Sequence, residues 1–461
     1  MFIGRTQELK QLEEAYRFQQ NTAIVLYGRY GIGKTELAQL FTKDKPVAFY
    51  VARELSEQEQ AYMLAKELGV PSKDEVPDVY TCLKQAVTRL SEKGQKPVIV
   101  LDEFHLLVKM GHEFVRSFIQ LMNEESSCMF LLLSSSVNWV ENSMVEELSF
   151  AAKSLSGIIK LKEFSFVELV NRFPNMQVER AIYANAVLGG VPEYLNLWNE
   201  KSSVKENIIR IFLKKDSPLL WEAEHFLKKE LRELGAYNAI LATMAAGKYK
   251  LNDIYARTRF SRAKISVYIK NLIELDIVEK VFSFDATEHA ALVHANVQKG
   301  LYRIKDHYLA FWYRYVFPNL SAIVCGKGEE LYETEIAKDL AGYMKEGFSG
   351  VCSEYLKLMA QYGRLQNRYV TWGSWYGKSG CIDIAASDEK GNTLVGFCRF
   401  DNYLMSKKDY EQYRELCELA LMNPKEIYLF SKGGFSEELR RIAKEEAANG
   451  IRVQLVGLED L

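Results

Sequence analysis

Five short runs along the first third of the chain are apolar at every position or nearly so: TAIVLYG at 22–28, PVAFYVA at 46–52, PVIVLDEF at 97–104, CMFLLLSSS at 128–136 and GIIKLKEF at 157–164. Stretches with helical spacing lie between them, at 56–68, 78–93 and 112–125, and Leu9, Leu12 and Tyr16 share one face of a first helix within 2–20. Unbroken apolar strands that alternate with amphipathic helices predict a parallel sheet covered on both faces. From 165 to 232 the spacing is helical only, broken by GGVPEY at 189–194. Residues 236–284 predict three helices followed by a ribbon strand, with Ile240, Leu241 and Met244 marking the first helix and Leu251, Ile254 and Tyr255 the second. Ile265, Ile269, Leu272 and Ile273 predict the buried face of the third, and Ser261 its N-cap. An aromatic stretch, LYRIKDHYLAFWYRYVFPN at 301–319, leads into a last region of strands (CIDIAAS, TLVGFCRF, EIYLFSK, RVQLVG) mixed with helices. The expected organisation is therefore an α/β sheet domain over 1–164, a helical lid over 165–234, a winged helix over 235–300, an aromatic hinge over 301–334 and a second α/β domain over 335–461.

A chain of 461 residues has length for about three domains, and 48% hydrophobic with 26% charged residues is a globular profile. The net charge of -2 excludes a uniformly basic coat for nucleic acid, so any such contact needs a local patch. Seven cysteines, none spaced Cys-x-x-Cys, argue against a disulfide framework or a zinc site. Charges run through the N-terminus and no apolar run reaches the ~18 residues of a membrane span. A cytoplasmic protein without a membrane segment is expected.

The chemistry sits at the ends of the strands. Gly28-Arg29-Tyr30-Gly31-Ile32-Gly33-Lys34-Thr35 fits the pattern G-x-x-x-x-G-K-[ST] between a buried strand and a helix. Gly28, Gly31 and Gly33 would let backbone N–H groups curl around phosphates at a helix N-terminus, Lys34 would pair with the β- and γ-phosphates of ATP, and the Thr35 hydroxyl would hold Mg²⁺. The strand at 97–101 delivers Asp102, suited to the same Mg²⁺, and Glu103, suited to take a proton from the attacking water. Ser134, Ser135 and Ser136 end the next strand, where a polar side chain would either sense the γ-phosphate or be solvated. His105 reads as a side chain at a helix start.

Segment 236–284 holds eight Lys or Arg against four Asp or Glu, a local basic excess. The outer face of its third helix carries Arg262, Lys264, Ser266, Tyr268, Lys270 and Asn271, types that meet phosphates and base edges, and Arg262, Lys264, Tyr268 and Lys270 are the candidate contacts to double-stranded DNA.

FIGRTQEL at the N-terminus, the glycine-rich loop, LDEF and GGVPEYL together resemble the archaeal-type ATPase family, which lies near the STAND and AAA+ groups. The resemblance implies that Phe2, Gly4 and Arg5 lie at the base side of the nucleotide, and that Gly190 and Pro192 belong to a lid that reports nucleotide state. Relatives carry an Arg after the glycine before the fifth strand; here Gly157 is followed by Ile158, so no phosphate-sensing Arg is carried over. YRIKDHYLAFWYRYVFPN also matches the family and implies a C-terminal domain similar to restriction-endonuclease-like nucleases. Glu354 and Asp383 match two of that site's acids, but Phe397 and Arg399 stand where an acid and a Lys are expected. An inactive nuclease-like domain is implied, with Lys407 or Lys408 as candidates for a migrated site. Three readings stay open: a DNA-associated ATPase, a nucleotide-controlled switch acting on a protein partner, and an ATP-gated, Mg²⁺-dependent nuclease. Whether the chain forms a homo-oligomer is left open as well.

Overall fold

In the computed structural model, residues 4–70, 78–92, 94–285 and 300–461 are described. Phe2 lies outside them. Their contacts divide the chain into two compact units, 1–164 with 191–193, and 165–190 with 194–461.

The first unit is built on β1 (Thr22–Tyr27), β2 (Val47–Val51), β3 (Val98–Asp102), β4 (Met129–Ser134) and β5 (Gly157–Lys160). All pairs are parallel and the order is β2-β3-β4-β1-β5. Strands β1, β3 and β4 are buried at every residue because helices cover both faces. Leu64, Leu83, Phe104, Phe118 and Trp139 pack on one face, and Leu12, Leu37, Ala38 and Phe41 on the other. Each fully buried large apolar side chain here contributes about 1.5–3 kcal/mol. PVAFYVA departs from the expected continuous burial: Val47 and Val51 are exposed, because β2 is an edge strand. Asn21, buried just before β1, donates to the carbonyls of Leu121 (2.9 Å) and Glu124 (3.0 Å) and accepts from the N–H of Cys128 (3.0 Å), which fixes β1 beside β4.

In the second unit, helices Phe166–Arg172 and Val204–Phe212 each open on a Ser–Glu capping box, Ser165 with Glu168 and Ser203 with Glu206. Helix Val178–Leu188 packs on the 25-residue helix Ala337–Gln361. Gly347 permits the approach, since a Cβ there would stand 2.6 Å from that of Ala186. Helices Leu234–Ala245, Leu251–Thr258 and Arg262–Glu274 are followed by β6 (Val278–Val281), which pairs antiparallel with β7 (Leu301–Ile304). Three helices are thus followed by a two-stranded ribbon, whose second strand lies in the segment 301–334.

Further along the same segment the aromatic side chains are packed inside. Tyr308, Phe311, Trp312, Tyr313 and Tyr315 are buried, with Trp312 Nε1 donating to the Leu220 carbonyl at 2.9 Å. Aromatic bulk needs apolar cover, so this stretch is packing core. Ile273 is exposed although the spacing put it on the buried face; it sits one position past Leu272, beyond the arc that Ile265, Ile269 and Leu272 bury.

The last region is a mixed sheet, β8 (Thr371–Tyr376), β9 (Cys381–Ser387), β10 (Thr393–Arg399), β11 (Pro424–Ser431) and β12 (Arg452–Val456), ordered β12-β11-β10-β9-β8. β8, β9 and β10 run antiparallel, whereas β10, β11 and β12 run parallel. Helices Lys407–Leu419 and Glu437–Ala448 cover a core that includes Phe397, Leu429 and Leu439. Among the described residues no helix is long and apolar enough to cross a membrane.

Candidate functional site

The loop Gly28–Gly33 connects β1 to helix Lys34–Thr42. Gly31 and Gly33 adopt φ of 77° and 93°, left-handed values that glycine takes without a Cβ penalty. A Cβ at Gly31 would also meet the Glu193 carboxylate at 2.4 Å, and the Glu193 N–H donates to the Gly31 carbonyl at 3.2 Å. Pro192, in the same 191–193 piece, precedes this contact.

Lys34 is folded into the loop. Its ammonium donates to the carbonyls of Gly28 (2.8 Å) and Arg29 (3.1 Å), and burial pushes its pKa down while the nearby carboxylates of Glu103 and Asp102 oppose that shift. The Thr35 hydroxyl donates to Asp102 Oδ2 at 2.8 Å, although 67 residues separate them. Asp102 Oδ1 accepts from the N–H of Glu103 at 2.9 Å, and burial raises the Asp102 pKa. Lys34, Thr35, Asp102 and Glu103 therefore converge on one spot at the carboxyl end of the sheet, where α/β folds bind ligands.

Glu103 takes a left-handed φ of 52°, uncommon for a residue with a Cβ. Its Oε2 accepts from both the N–H (2.9 Å) and the hydroxyl (2.8 Å) of Ser135. His105 Nδ1 lies 3.3 Å from the same oxygen and 3.2 Å from Ser134 Oγ. Ser134 is fully buried, so that serine is no solvated strand end. His105 is buried as well, which pushes its pKa down to about 4. Neither partnership was legible from spacing; the one signal was a histidine two residues after the acidic pair.

Arg5, also at a left-handed φ (62°), is buried. Its guanidinium donates to the carbonyls of Lys162 (2.7 Å) and Ile32 (3.2 Å) and lies 5.0 Å from the Phe164 ring. It braces the glycine loop against the chain that follows β5. Ile158 on β5 is exposed and supplies no polar group.

On helix Arg262–Glu274, capped by Ser261, the candidate DNA contacts have partners within their own unit. Lys264 lies 3.6 Å from Glu233, to which Tyr268 also donates; Lys270 lies 3.5 Å from Glu274; Arg262 donates to Asn252 at 3.3 Å. The Tyr268 hydrogen bond and the Lys264 charge hold the Glu233 carboxyl below its ordinary pKa.

The nuclease-like positions separate. Asp383 and Glu354 both line a cavity of about 560 Å³. Burial raises the Asp383 pKa, its Oδ2 accepts from the N–H of Cys398 (2.9 Å), and the cation beside it is Lys345, 3.7 Å away on helix Ala337–Gln361. Arg399, which stands where a Lys is expected, pairs with Asp401 (2.8 Å) and with Asp409 (3.0 Å) in the first turn of the next helix. Glu354 accepts from the N–H groups of Phe166 (3.0 Å) and Val167 (3.4 Å) and so caps a helix. Phe397 stacks on Tyr413, ring centroids 4.1 Å apart. Lys407 pairs with Glu411 and Glu438. Among the described residues no three His, Cys, Asp or Glu side chains are grouped to hold a metal.

A parallel sheet ordered β2-β3-β4-β1-β5, with a glycine loop after β1 and an acidic pair at the end of β3, defines a P-loop NTPase. Residues 2–197 match the family described as an ATPase domain predominantly from Archaea, and residues 312–413 the family described as archaea bacterial proteins of unknown function. The first 197 residues are thus similar to that family of ATPase domains. An uncharacterised protein of Methanocaldococcus jannaschii is 26% identical over 396 residues, 84% of this chain and 85% of that one. The solved Walker-type ATPase of Pyrococcus abyssi superposes with a TM-score of 0.50 at 17% identity, over 68% of this chain and 96% of that one, a likeness in fold. The Aeropyrum pernix ORC2 protein, solved as ADPNP–ADP complexes, is 16% identical, with a TM-score of 0.45 over 70% of this chain and 94% of that one.

Removing the Arg5 brace leaves two buried carbonyls without their donor. Arg5→Ala is expected to lower the stability of the ATPase unit by about 2–3 kcal/mol, read as a lower midpoint in chemical denaturation. An unchanged midpoint would show that the guanidinium does not hold the loop.

Proposed function

We propose that the protein hydrolyses ATP with Mg²⁺ and works in association with duplex DNA through its winged helix. The observation that carries the ATP half is the convergence of Lys34, Thr35, Asp102 and Glu103, with the Thr35 hydroxyl 2.8 Å from Asp102. Backbone N–H groups of the loop 28–33 and the Lys34 ammonium would take the phosphates, Arg5 would hold the loop in shape, and Pro192 would carry the segment that touches Gly31. A hydroxyl and a carboxylate are hard oxygen donors that suit Mg²⁺, so Thr35 and Asp102 would hold it. When bound, that ion would neutralise charge on the phosphate oxygens. Glu103 would accept the proton of the attacking water.

The DNA half rests on the basic outer face of helix Arg262–Glu274. Ion pairs between exposed side chains contribute about 0–1 kcal/mol, so phosphates could replace Glu233 and Glu274 as partners of Lys264 and Lys270. The same internal pairing favours a second reading, a nucleotide-controlled switch that acts on a protein and leaves DNA alone. The C-terminal sheet is proposed to be catalytically silent: Glu354 is committed to a helix end and Phe397 offers no ligand. Neither Mg²⁺ nor Mn²⁺ is then expected to elicit DNA cleavage, measured on plasmid with and without ATP. Cleavage lost in Asp383→Ala would install the nuclease reading.

Lys34→Ala should weaken ATP binding about a hundredfold, through loss of a charge-assisted phosphate contact. Glu103→Gln should bind ATP normally and turn over at least about a hundredfold more slowly, since an amide accepts no proton. Wild-type turnover by Glu103→Gln would remove Glu103 from the base role.

For DNA, the double change Arg262→Glu with Lys264→Glu should weaken binding to duplex and flatten its salt dependence by about one for each lost phosphate contact. Glu233→Gln should strengthen it. Absence of duplex binding by the unmodified protein at low salt would favour the protein-partner switch.

A further inference from the structure

A neutral imidazole carries one N–H, and its surroundings decide where the hydrogen sits. Burial pushes the His105 pKa to about 4, so the ring is neutral at pH 7. Its Nδ1 faces the Glu103 carboxylate at 3.3 Å and Ser134 Oγ at 3.2 Å. A bare Nδ1 would set its lone pair against a carboxylate oxygen, two acceptors in contact. With the hydrogen on Nδ1, the ring donates to Ser134 Oγ and turns the positive end of the same N–H dipole toward the carboxylate, and the serine hydroxyl still receives the N–H of Ser136 at 3.2 Å. The ring itself is buried and lies tilted against Trp139, centroids 5.8 Å apart, so it has little freedom to turn away.

Glu103 Oε2 accepts two hydrogen bonds, from the Ser135 N–H at 2.9 Å and the Ser135 hydroxyl at 2.8 Å, and has His105 Nδ1 beside it at 3.3 Å as an electrostatic neighbour. Oε1, among the described residues, accepts no hydrogen bond from the protein. A carboxylate tethered by one oxygen has its plane fixed and presents the other, and reaction geometry of this kind is sensitive to displacements of about 1 Å.

We infer that His105 is a positioning residue for hydrolysis: Ser135 hydrogen-bonds Glu103 Oε2, and the Nδ1–H dipole of His105, anchored on Ser134 Oγ, holds that oxygen electrostatically, so that Oε1 faces the water. This rests on the reading of Glu103 as the general base. His105 touches neither nucleotide nor water in this role. The proton removed from water goes to Glu103 Oε1, and the imidazole neither gains nor loses one.

The test uses the full chain and steady-state ATP turnover, with ADP affinity measured by titration as the control for folding and nucleotide binding. His105→Phe keeps the ring against Trp139 and removes the donor; kcat should fall about tenfold with KM and ADP affinity unchanged. His105→Asn places an amide N–H near the position of Nδ1 and should retain turnover within about threefold of the unmodified protein. In the Glu103→Gln background, His105→Phe should cost nothing further, because there is no base left to position. Where His105→Phe loses ADP binding, His105→Leu takes its place.

Undiminished or faster turnover in His105→Phe would overturn the inference, the latter because the grip would then be a restraint. Equal losses in His105→Phe and His105→Asn would overturn it too, as would a further loss in the Glu103→Gln background. The two claims fail separately. Wild-type turnover in Glu103→Gln sinks the general-base reading, whereas a silent Glu103→Gln beside a fully active His105→Phe sinks only the positioning role.

Discussion

β1 is buried along its whole length between β4 and β5, in parallel register that sets Tyr27 beside Ser134 and Lys160. β3 joins the other side of β4, with Leu101 beside Leu132. Because the strands run the same way, their carboxyl ends fall at one level, and the polar residues that end them meet there. Side chains surrounded by an apolar sheet cannot remain without partners at tolerable cost. Lys34 therefore turns to the loop carbonyls, Thr35 to Asp102, Ser134 to His105 and Arg5 to the carbonyls of Ile32 and Lys162. The ATPase site follows from that requirement: few polar groups, tightly partnered, in a region of low dielectric where each charge acts strongly.

The second unit meets the same requirement differently. Glu426 is fully buried on β11 and satisfied by the Tyr369 hydroxyl (2.9 Å), the Gln366 N–H (2.9 Å) and the Arg452 guanidinium (3.7 Å). Glu354 holds a helix end, and Arg399 is shared between two aspartates. These charges serve packing and capping. Asp383 lines a cavity wall with Lys345 3.7 Å away.

The helix Arg262–Glu274 shows how weak interactions leave a surface available. Its basic residues are paired with Glu233 and Glu274, but the pairs are exposed to solvent and screened by salt. An arrangement of this kind holds the helix face ordered without committing it, in contrast to the buried pairs of the ATPase site.

The glycine loop, the acidic pair and the five-stranded alternation were legible in the chain itself, because a strand, a tight turn and the helix that follows are local events governed by spacing and residue type. Ser261 as a helix cap was local in the same sense. What only tertiary structure decided involves partners far apart in sequence. Arg5 reaches a carbonyl 157 residues away, and His105 finds Ser134 across 29. Lys345 stands beside Asp383 from a helix that no strand motif would include. The exposure of Val47 and Val51 depended on β2 being an edge, a property of strand order. β6 paired with Leu301–Ile304 because a strand lacking a partner takes the one that topology brings alongside, and the aromatic stretch after it became core because its bulk could be covered there. Spacing determines which faces a segment offers; which neighbour satisfies each face is settled only when the whole chain has folded.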